Sequence, residues 1–480
     1  MTTRILAVIF LVSCYGSSQA DPLFLDRSAD RQLAVGNGPA CWSDFNNDGW
    51  TDLCAGSVWI NDEGKRFVKL ADGIGSAVAA DYDNDGFVDL FSWSAMRLYR
   101  NDAGKGFVPV ELPESPKTVS RGACWGDWNG DGYVDLYVGG YEDWNAGITY
   151  PDLVLTNNDG KSFKLESSRS RYRARGVTAC DFDEDGDLDL YVSNYRLQPN
   201  LLWQNNGRGA LVDVAEARNA VATSGDFRGG HSIGAAWADF DNDGHIDLFA
   251  GNFAHVDARG DQPKSRFLRN WGPSQGFIFQ DLGTCGVHYQ ESYASPGAGD
   301  YDNDGDVDLF LTTVYGVASF GKKNHAVLFR NDGEFQFADA TAPAGLAELP
   351  PTYQSAWADY DRDGDLDLLT AGKLYENQTD GQQWLEIQLN GDGKVVNHAA
   401  VGAQARIRLG NRTLTRQVEA GTGEGNQNDL LLHFGLGGHT QPVRVEIRWP
   451  NGHIQQIDNV KPNQRVVYRF VDALGPEGRM

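Results

Sequence analysis

The stretch DYDNDGFVDL, Asp81–Leu90, has carboxylates at positions 1, 3, 5 and 9 and glycine at position 6. Alternate side chains of an extended segment project to one side, so the first three acids can converge on a point. Glycine permits the sharp turn that follows, because it adopts positive φ at little steric cost. Position 7 then offers a backbone carbonyl and position 9 returns a carboxylate. Together they make an oxygen cage suited to a hard cation such as calcium. Six further copies accompany this one: DFNNDGWTDL from Asp44, DWNGDGYVDL from Asp127, DFDEDGDLDL from Asp181, DFDNDGHIDL from Asp239, DYDNDGDVDL from Asp300 and DYDRDGDLDL from Asp359.

The pattern fixes a ligand set. It is Asp44, Asn46, Asp48 and Asp52 in the first loop, and Asp81, Asp83, Asp85 and Asp89 in the second. The third and fourth supply Asp127, Asn129, Asp131 and Asp135, then Asp181, Asp183, Asp185 and Asp189. The last three supply Asp239, Asp241, Asp243 and Asp247; Asp300, Asp302, Asp304 and Asp308; and Asp359, Asp361, Asp363 and Asp367. Asn46 and Asn129 stand where the other loops have a carboxylate, so loops one and three are expected to bind most weakly. An EF-hand is excluded: it needs a bidentate Glu at position 12, and these loops have Ala55, Ser92, Val138, Val192, Ala250, Leu311 and Thr370 there.

The residues between the ligands read as core. Position 2 is aromatic in every copy, and position 10 is leucine from Leu53 to Leu368. Around each loop lie short β-like runs and a turn such as LYRNDAG or LFRNDG. Four short strands per unit make a propeller blade, and seven units make a seven-bladed ring. The last unit lacks an outer strand, while Leu23-Phe24-Leu25-Asp26 stands unmatched at the N-terminus. That segment is expected to complete the seventh blade and tie the chain ends together. Trp42, Ala79, Trp125, Ala179, Trp237, Ala298 and Trp357 precede their loops by two residues and read as packing between blades.

These repeats resemble the integrin-α-type FG-GAP, or VCBS, family over roughly residues 22–380. The resemblance implies a β-propeller with up to seven Ca²⁺ held in hairpin loops on one face. After about residue 383 the acidic loops stop and alternating strands follow: WLEIQL, AQARIRL, LTRQVEA, DLLLHFGLG, VRVEIRW and QRVVYRF. GAQARI, EAGTGEGNQN, LHFGLG and RWPNG resemble the ASPIC/UnbV domain found in the cartilage acidic protein family. The expected fold is all-β: a signal peptide over 1–20, a seven-bladed propeller over 21–382, a small all-β domain over 383–472 and a tail over 473–480.

Composition fits this reading. Net charge is −25, most of it ligand, and seven divalent ions would return 14 positive charges. No basic patch suggests nucleic acid. Arg4, the apolar Ile5–Val12 and Ser18-Gln19-Ala20 read as a secretion signal too short to span a bilayer. Leu11-Val12-Ser13-Cys14 also resembles a bacterial lipoprotein box, with Cys14 as the lipid anchor of a periplasmic or outer-surface protein. Cys41 and Cys124 stand three residues before the first ligand of their loops and read as small core residues; the alternative is a Cys41–Cys54 disulfide within blade one. Asn377-Gln378-Thr379 and Asn411-Arg412-Thr413 are glycosylation sequons.

No catalytic motif stands out: there is no H-E-x-x-H and no G-x-S-x-G. The GTGEG run at Gly421 lacks the strand–turn–helix setting of a phosphate loop. His245 at position 7 should turn its ring away from the cage, and His433 reads as structural. Arg121, Arg175 and His231 read mainly as a solvated rim; the alternative is that they point toward one face or the axis of the ring and meet an anionic ligand. The expectation is a secreted, calcium-binding adhesion module for an extracellular protein or glycan, with no catalytic residues. The alternative is an enzyme acting on extracellular polysaccharide from a deep axial pocket.

Overall fold

A computed structural model describes residues 22–169, 171–257, 260–319 and 321–471. The expected signal peptide, Cys14 and the tail lie outside the described residues. Among the described residues there is no α-helix, only one short 3₁₀ turn at Gly272–Gln275.

Seven four-stranded antiparallel sheets carry one acidic loop each. In blade 1 the strands are Cys41–Ser43, Asp52–Cys54, Gly56–Asn61 and Phe67–Gly75, and the loop joins the first two. The innermost strands of blades 2 to 7 are Ala77–Ala80, Ser120–Gly126, Ala174–Cys180, Ser232–Ala238, Tyr293–Gly299 and Ala356–Ala358. Each touches the next, and the last touches the first, so the sheets form a closed ring. Phe24–Asp26 pairs antiparallel with Lys373–Asn377 as the outer strand of blade 7. The ring is therefore closed by backbone hydrogen bonds between the two ends of the propeller segment, which leaves that edge paired.

Packing between blades follows the repeat. The position 2 aromatics, such as Phe45, Trp128, Phe240 and Tyr360, are buried, and every position 10 leucine is fully buried. Trp42 and Trp125 are also buried, and each indole N–H donates to a carbonyl of an adjacent blade, Ala356 and Val78 respectively, at 3.3 Å. Cys41 and Cys54 face each other across the first strand pair as free, buried thiols.

The C-terminal residues form two sheets over one core. Gln383–Asn390 lies between Leu432–Gly437, antiparallel, and Gln464–Arg469, parallel. The second sheet orders Arg412–Gln417, Gln404–Leu409, Val443–Arg448 and Ile454–Val460. Ile454–Val460 had no place among the strands expected from sequence. It alternates Ile454, Gln455, Gln456 and Ile457 too weakly for its pattern to stand out. Leu385, Ile407, Phe434, Val445 and Trp449 fill the space between the sheets.

Candidate metal cages and the domain that covers them

Each loop holds its acids by the same backbone pattern. In loop two, Gly86 N–H donates to Asp81 Oδ2 at 2.8 Å, and Phe87 N–H donates to Asp85 Oδ1 at 2.9 Å. The position 9 carboxylate is gripped at both oxygens: Asp89 accepts from Tyr82 N–H at 3.0 Å and Asn101 N–H at 2.7 Å. Position 6 glycines have φ between 85° and 101°, as the turn requires. Position 4 is left-handed as well, with φ 60° at Asn47, 57° at Asn84, 57° at Glu184 and 63° at Arg362. Asparagine tolerates that region, and the sequence reading had given position 4 no role.

Position 4 ties neighbouring loops together. Asn47 donates to Gly86 O at 2.7 Å, Asn84 to Gly132 O at 2.9 Å, and Asn303 to Gly364 O at 3.0 Å. Between blades 4 and 5 the link is Glu184 to His245 Nδ1 at 2.6 Å. The His245 ring thus bonds the adjoining loop's Glu184 and serves that loop, not its own cage. A second latch repeats at the third strand. Asn101 Nδ2 donates to Phe45 O at 2.8 Å, and Asn377 Nδ2 to Tyr301 O at 2.7 Å, each reaching into the preceding blade's loop. Asn377 is fully buried by that role, so its sequon is closed to modification in the folded ring.

The acid clusters fit a cation. One oxygen each of Asp81, Asp83 and Asp85 lies within 4.8 Å of the others, and the same holds for Asp181, Asp183 and Asp189, for Asp239, Asp241 and Asp247, and for Asp300, Asp302 and Asp304. After the backbone has taken its share, buried oxygens remain with no hydrogen-bond partner: Oδ1 of Asp44, Asp183, Asp239, Asp300, Asp302 and Asp361, and Oδ2 of Asp189. An orphaned carboxylate oxygen is costly inside a protein, and a bound cation removes that cost. Burial lifts the Asp44 and Asp241 carboxyls to about 6 and those of Asp52 and Asp300 to about 8, and neighbouring acids add to the rise. In loop five Arg269 lies 2.6 Å from Asp241 and 3.0 Å from Asp243, so an ion there would have to displace it.

The C-terminal domain sits on these loops. Thr415 N–H donates to Asp239 Oδ2 at 3.1 Å, and Gly435 N–H donates to Asp300 Oδ2 at 3.0 Å. His398 Nδ1 lies 3.2 Å from Asp81 Oδ2, and Thr51 Oγ1 donates to Asp429 at 2.6 Å. Arg406 and Arg448 both pair with Glu184. His433 is buried with Nε2 3.0 Å from Gly364 O; burial holds its pKa down at about 4, so it is neutral and structural.

From the same domain, residues 420–428 enter the axis of the ring. Asn426 Oδ1 accepts Ala40 N–H at 3.1 Å and Ser355 N–H at 3.3 Å. Gln427 Oε1 accepts Ala79 N–H at 2.8 Å, and Trp125 N–H donates to Ala420 O at 3.1 Å. Gly423 N–H donates to Ala235 O at 2.9 Å, and Glu424 N–H to Ser295 Oγ at 2.8 Å. Arg175 meets Glu424 Oε1 at 2.6 Å and lies against the rings of Tyr141, Tyr195 and Tyr353. All seven blades are engaged, which only a segment on the axis can do. The GTGEG run is therefore a plug: a side chain on Gly176 or Gly234 of the ring would collide with the backbone of Gly423, and one on Gly122 would press on Gly425. Arg175 and His231 are buried, not a solvated rim, whereas Arg121 is exposed over Tyr141. Nothing local in the sequence connects Arg175 to a glutamate 249 residues away.

Among the described residues, nothing covers the opposite face of the ring. Its loops join second to third strands and one blade to the next, and they expose Trp144, Ile148, Tyr289, Tyr315 and Val317. The Arg196 guanidinium lies 3.9 Å from the centre of the Trp144 ring.

A ring of acidic hairpin loops, capped and plugged by a second β domain, defines the class: this chain carries FG-GAP-like repeats and an ASPIC and UnbV domain. The repeat family matches residues 81–138, 181–250 and 300–370, and the ASPIC and UnbV family matches residues 393–472. Among curated relatives, cartilage acidic protein 1 of Xenopus tropicalis is 26% identical over 359 residues, 68% of this chain and 51% of that protein. The human protein of the same name is 27% identical over 60% of this chain and 43% of its own length. The chain thus spans about half the length of the curated relatives it matches. An Agrocybe aegerita lectin structure, described as recognising non-reducing terminal N-acetylglucosamine, superposes with a TM-score of 0.37 at 16% identity, over 65% of this chain and 81% of that one.

Proposed function

We propose that the protein is a secreted calcium-loaded propeller whose open face binds an extracellular protein or glycan. Calcium in the cages is structural. The observation that carries the reading is the division of the ring: one face and the axis are occupied by the chain's own C-terminal domain, while the other face exposes aromatics. Trp144 is 65% exposed and Tyr315 57%, and exposed aromatic rings beside arginine are the residues protein interfaces favour. Cartilage acidic protein relatives and FG-GAP-like repeats support an extracellular setting. Among the described residues no helix is long and apolar enough to cross a membrane.

Calcium fits the cages because every side-chain donor is an oxygen and the loops turn at glycine. Sites of extracellular affinity, Kd roughly 10⁻⁴ M, would each contribute about 1.4 kcal/mol at millimolar calcium. The enzyme alternative has lost its axial pocket to residues 420–428. What favours it is a cavity between ring and cap, lined by Asp300, Asp359, Glu386, Arg416 and Glu419, where burial raises the Glu419 carboxyl to about 8. The test is a glycan and extracellular-protein binding screen of native protein and a Trp144→Ala/Tyr315→Ala variant. Binding lost in the variant supports the open face. Polysaccharide cleavage abolished by Glu419→Gln would favour the enzyme.

A further inference from the structure

We propose a transition-metal site, distinct from the cages, formed by His288, His325 and Asp339 on blade 6. The three come from the loop entering the blade, the loop before its third strand and the end of its outer strand. All lie toward the face opposite the acidic loops. One ligand atom from each lies within 4.8 Å of the other two. His288 Nδ1 is 3.9 Å from Asp339 Oδ2. Two atoms that each bind zinc at about 2.0–2.2 Å stand no more than about 4.4 Å apart, so this pair already fits and His325 needs only a small swing.

The surroundings hold the ligands in place. Asp339 Oδ1 accepts Thr341 N–H at 2.9 Å, which leaves Oδ2 toward His288. Buried Gln290 clamps the His325 backbone: its Oε1 accepts His325 N–H at 2.8 Å, and its Nε2 donates to His325 O at 3.1 Å. The same Nε2 lies 3.4 Å from His288 Nε2 and can donate to it only while the proton sits on Nδ1, so a metal bound at Nδ1 would move that proton to Nε2 and break this contact. The His288 ring packs against Phe329 at 5.3 Å.

The chemistry separates this site from the cages. Two imidazole nitrogens and one carboxylate suit zinc and its neighbours, whereas calcium prefers an all-oxygen shell. Three protein ligands leave a fourth position for water or for a donor from a partner docked on this face. The proposal stands whether or not the cages hold calcium.

The experiment is calorimetric titration of Zn²⁺ into tag-free protein in millimolar Ca²⁺, with Co²⁺ absorption as a second reading. The expected result is one Zn²⁺ per chain. Binding should be lost in His288→Ala and His325→Ala and weakened about 10–100-fold in Gln290→Ala. Unchanged melting of these variants in calcium shows that the ring remains folded. No Zn²⁺ binding by the native protein, or equal binding by the His288→Ala/His325→Ala double variant, overturns the proposal.

Discussion

The two faces of this ring are built in opposite ways. On the acidic face one ten-residue solution is used in every blade: the position 9 carboxylates are all buried, neighbouring loops are linked through Asn47, Asn84 and Asn303, and a second domain covers them. On the other face the loops vary: blades 3 and 5 each carry a small hairpin between second and third strands, that of blade 3 with Trp144, while blade 6 presents Tyr315 and the histidine pair. Repetition belongs to the face that holds the ring together, and variety to the face open to a partner. Loops on a rigid scaffold are where recognition residues concentrate.

Breaking the axis should have the largest effect on the covered side. Arg175→Met leaves Glu424 buried without its cation and is expected to cost about 3–5 kcal/mol. Arg175→Met combined with Glu424→Leu should recover much of that loss in a denaturant melt. Next comes a contrast between two cages. Asp300 Oδ2 accepts from its own Gly305 and from Gly435 of the cap, whereas Asp127 accepts from Gly130, Asp131 and Gly132 of its own loop. Asp300→Asn should therefore loosen the cap, read as faster amide exchange over residues 432–437, by more than Asp127→Asn does. The difference should be about 1–2 kcal/mol, the scale of a charge-assisted hydrogen bond.

Acidity sharpens the same contrast. Without metal, Asp44 and Asp241 hold protons up to about pH 6 and Asp52 and Asp300 up to about pH 8, while unfolded carboxyls release theirs near pH 4. Between those limits the folded form binds more protons, so metal-free stability falls as pH rises. Calcium needs the ionised form. The gap in Tm between calcium and EGTA should widen from pH 5 to pH 8, and a constant gap would count against ligation by these carboxylates. The smallest effect on stability belongs to the open face: Trp144→Ala or Tyr315→Ala should change it by no more than about 0.5 kcal/mol, while removing partner binding.

The sequence made the repeated face readable because repetition averages out local noise. The acid spacing, the glycine turn, the position 2 aromatics and the closing strand at Phe24–Asp26 all follow from comparing one loop with the next. The third-strand asparagines were visible only as turn residues. Their reach into the preceding blade depends on how sheets stack, which no single loop contains. The plug was unreadable for another reason. GTGEGNQN has no periodicity, and its partners Ala40, Ala79, Ala235 and Ser295 are scattered over some 250 residues of chain, brought together only by ring closure. The partner of His245 was invisible because its own loop gives no hint of Glu184 next door.

The most direct test is a metal count together with thermal unfolding of residues 21–480 in millimolar Ca²⁺ and in EGTA. Near-seven bound calcium ions are expected, fewer if the Asn46 and Asn129 loops fill poorly. EGTA should lower Tm by roughly 10 °C or more, given about 1 kcal/mol per site. Absence of bound calcium together with an unmoved Tm would contradict the account and return the aspartate loops to being turns.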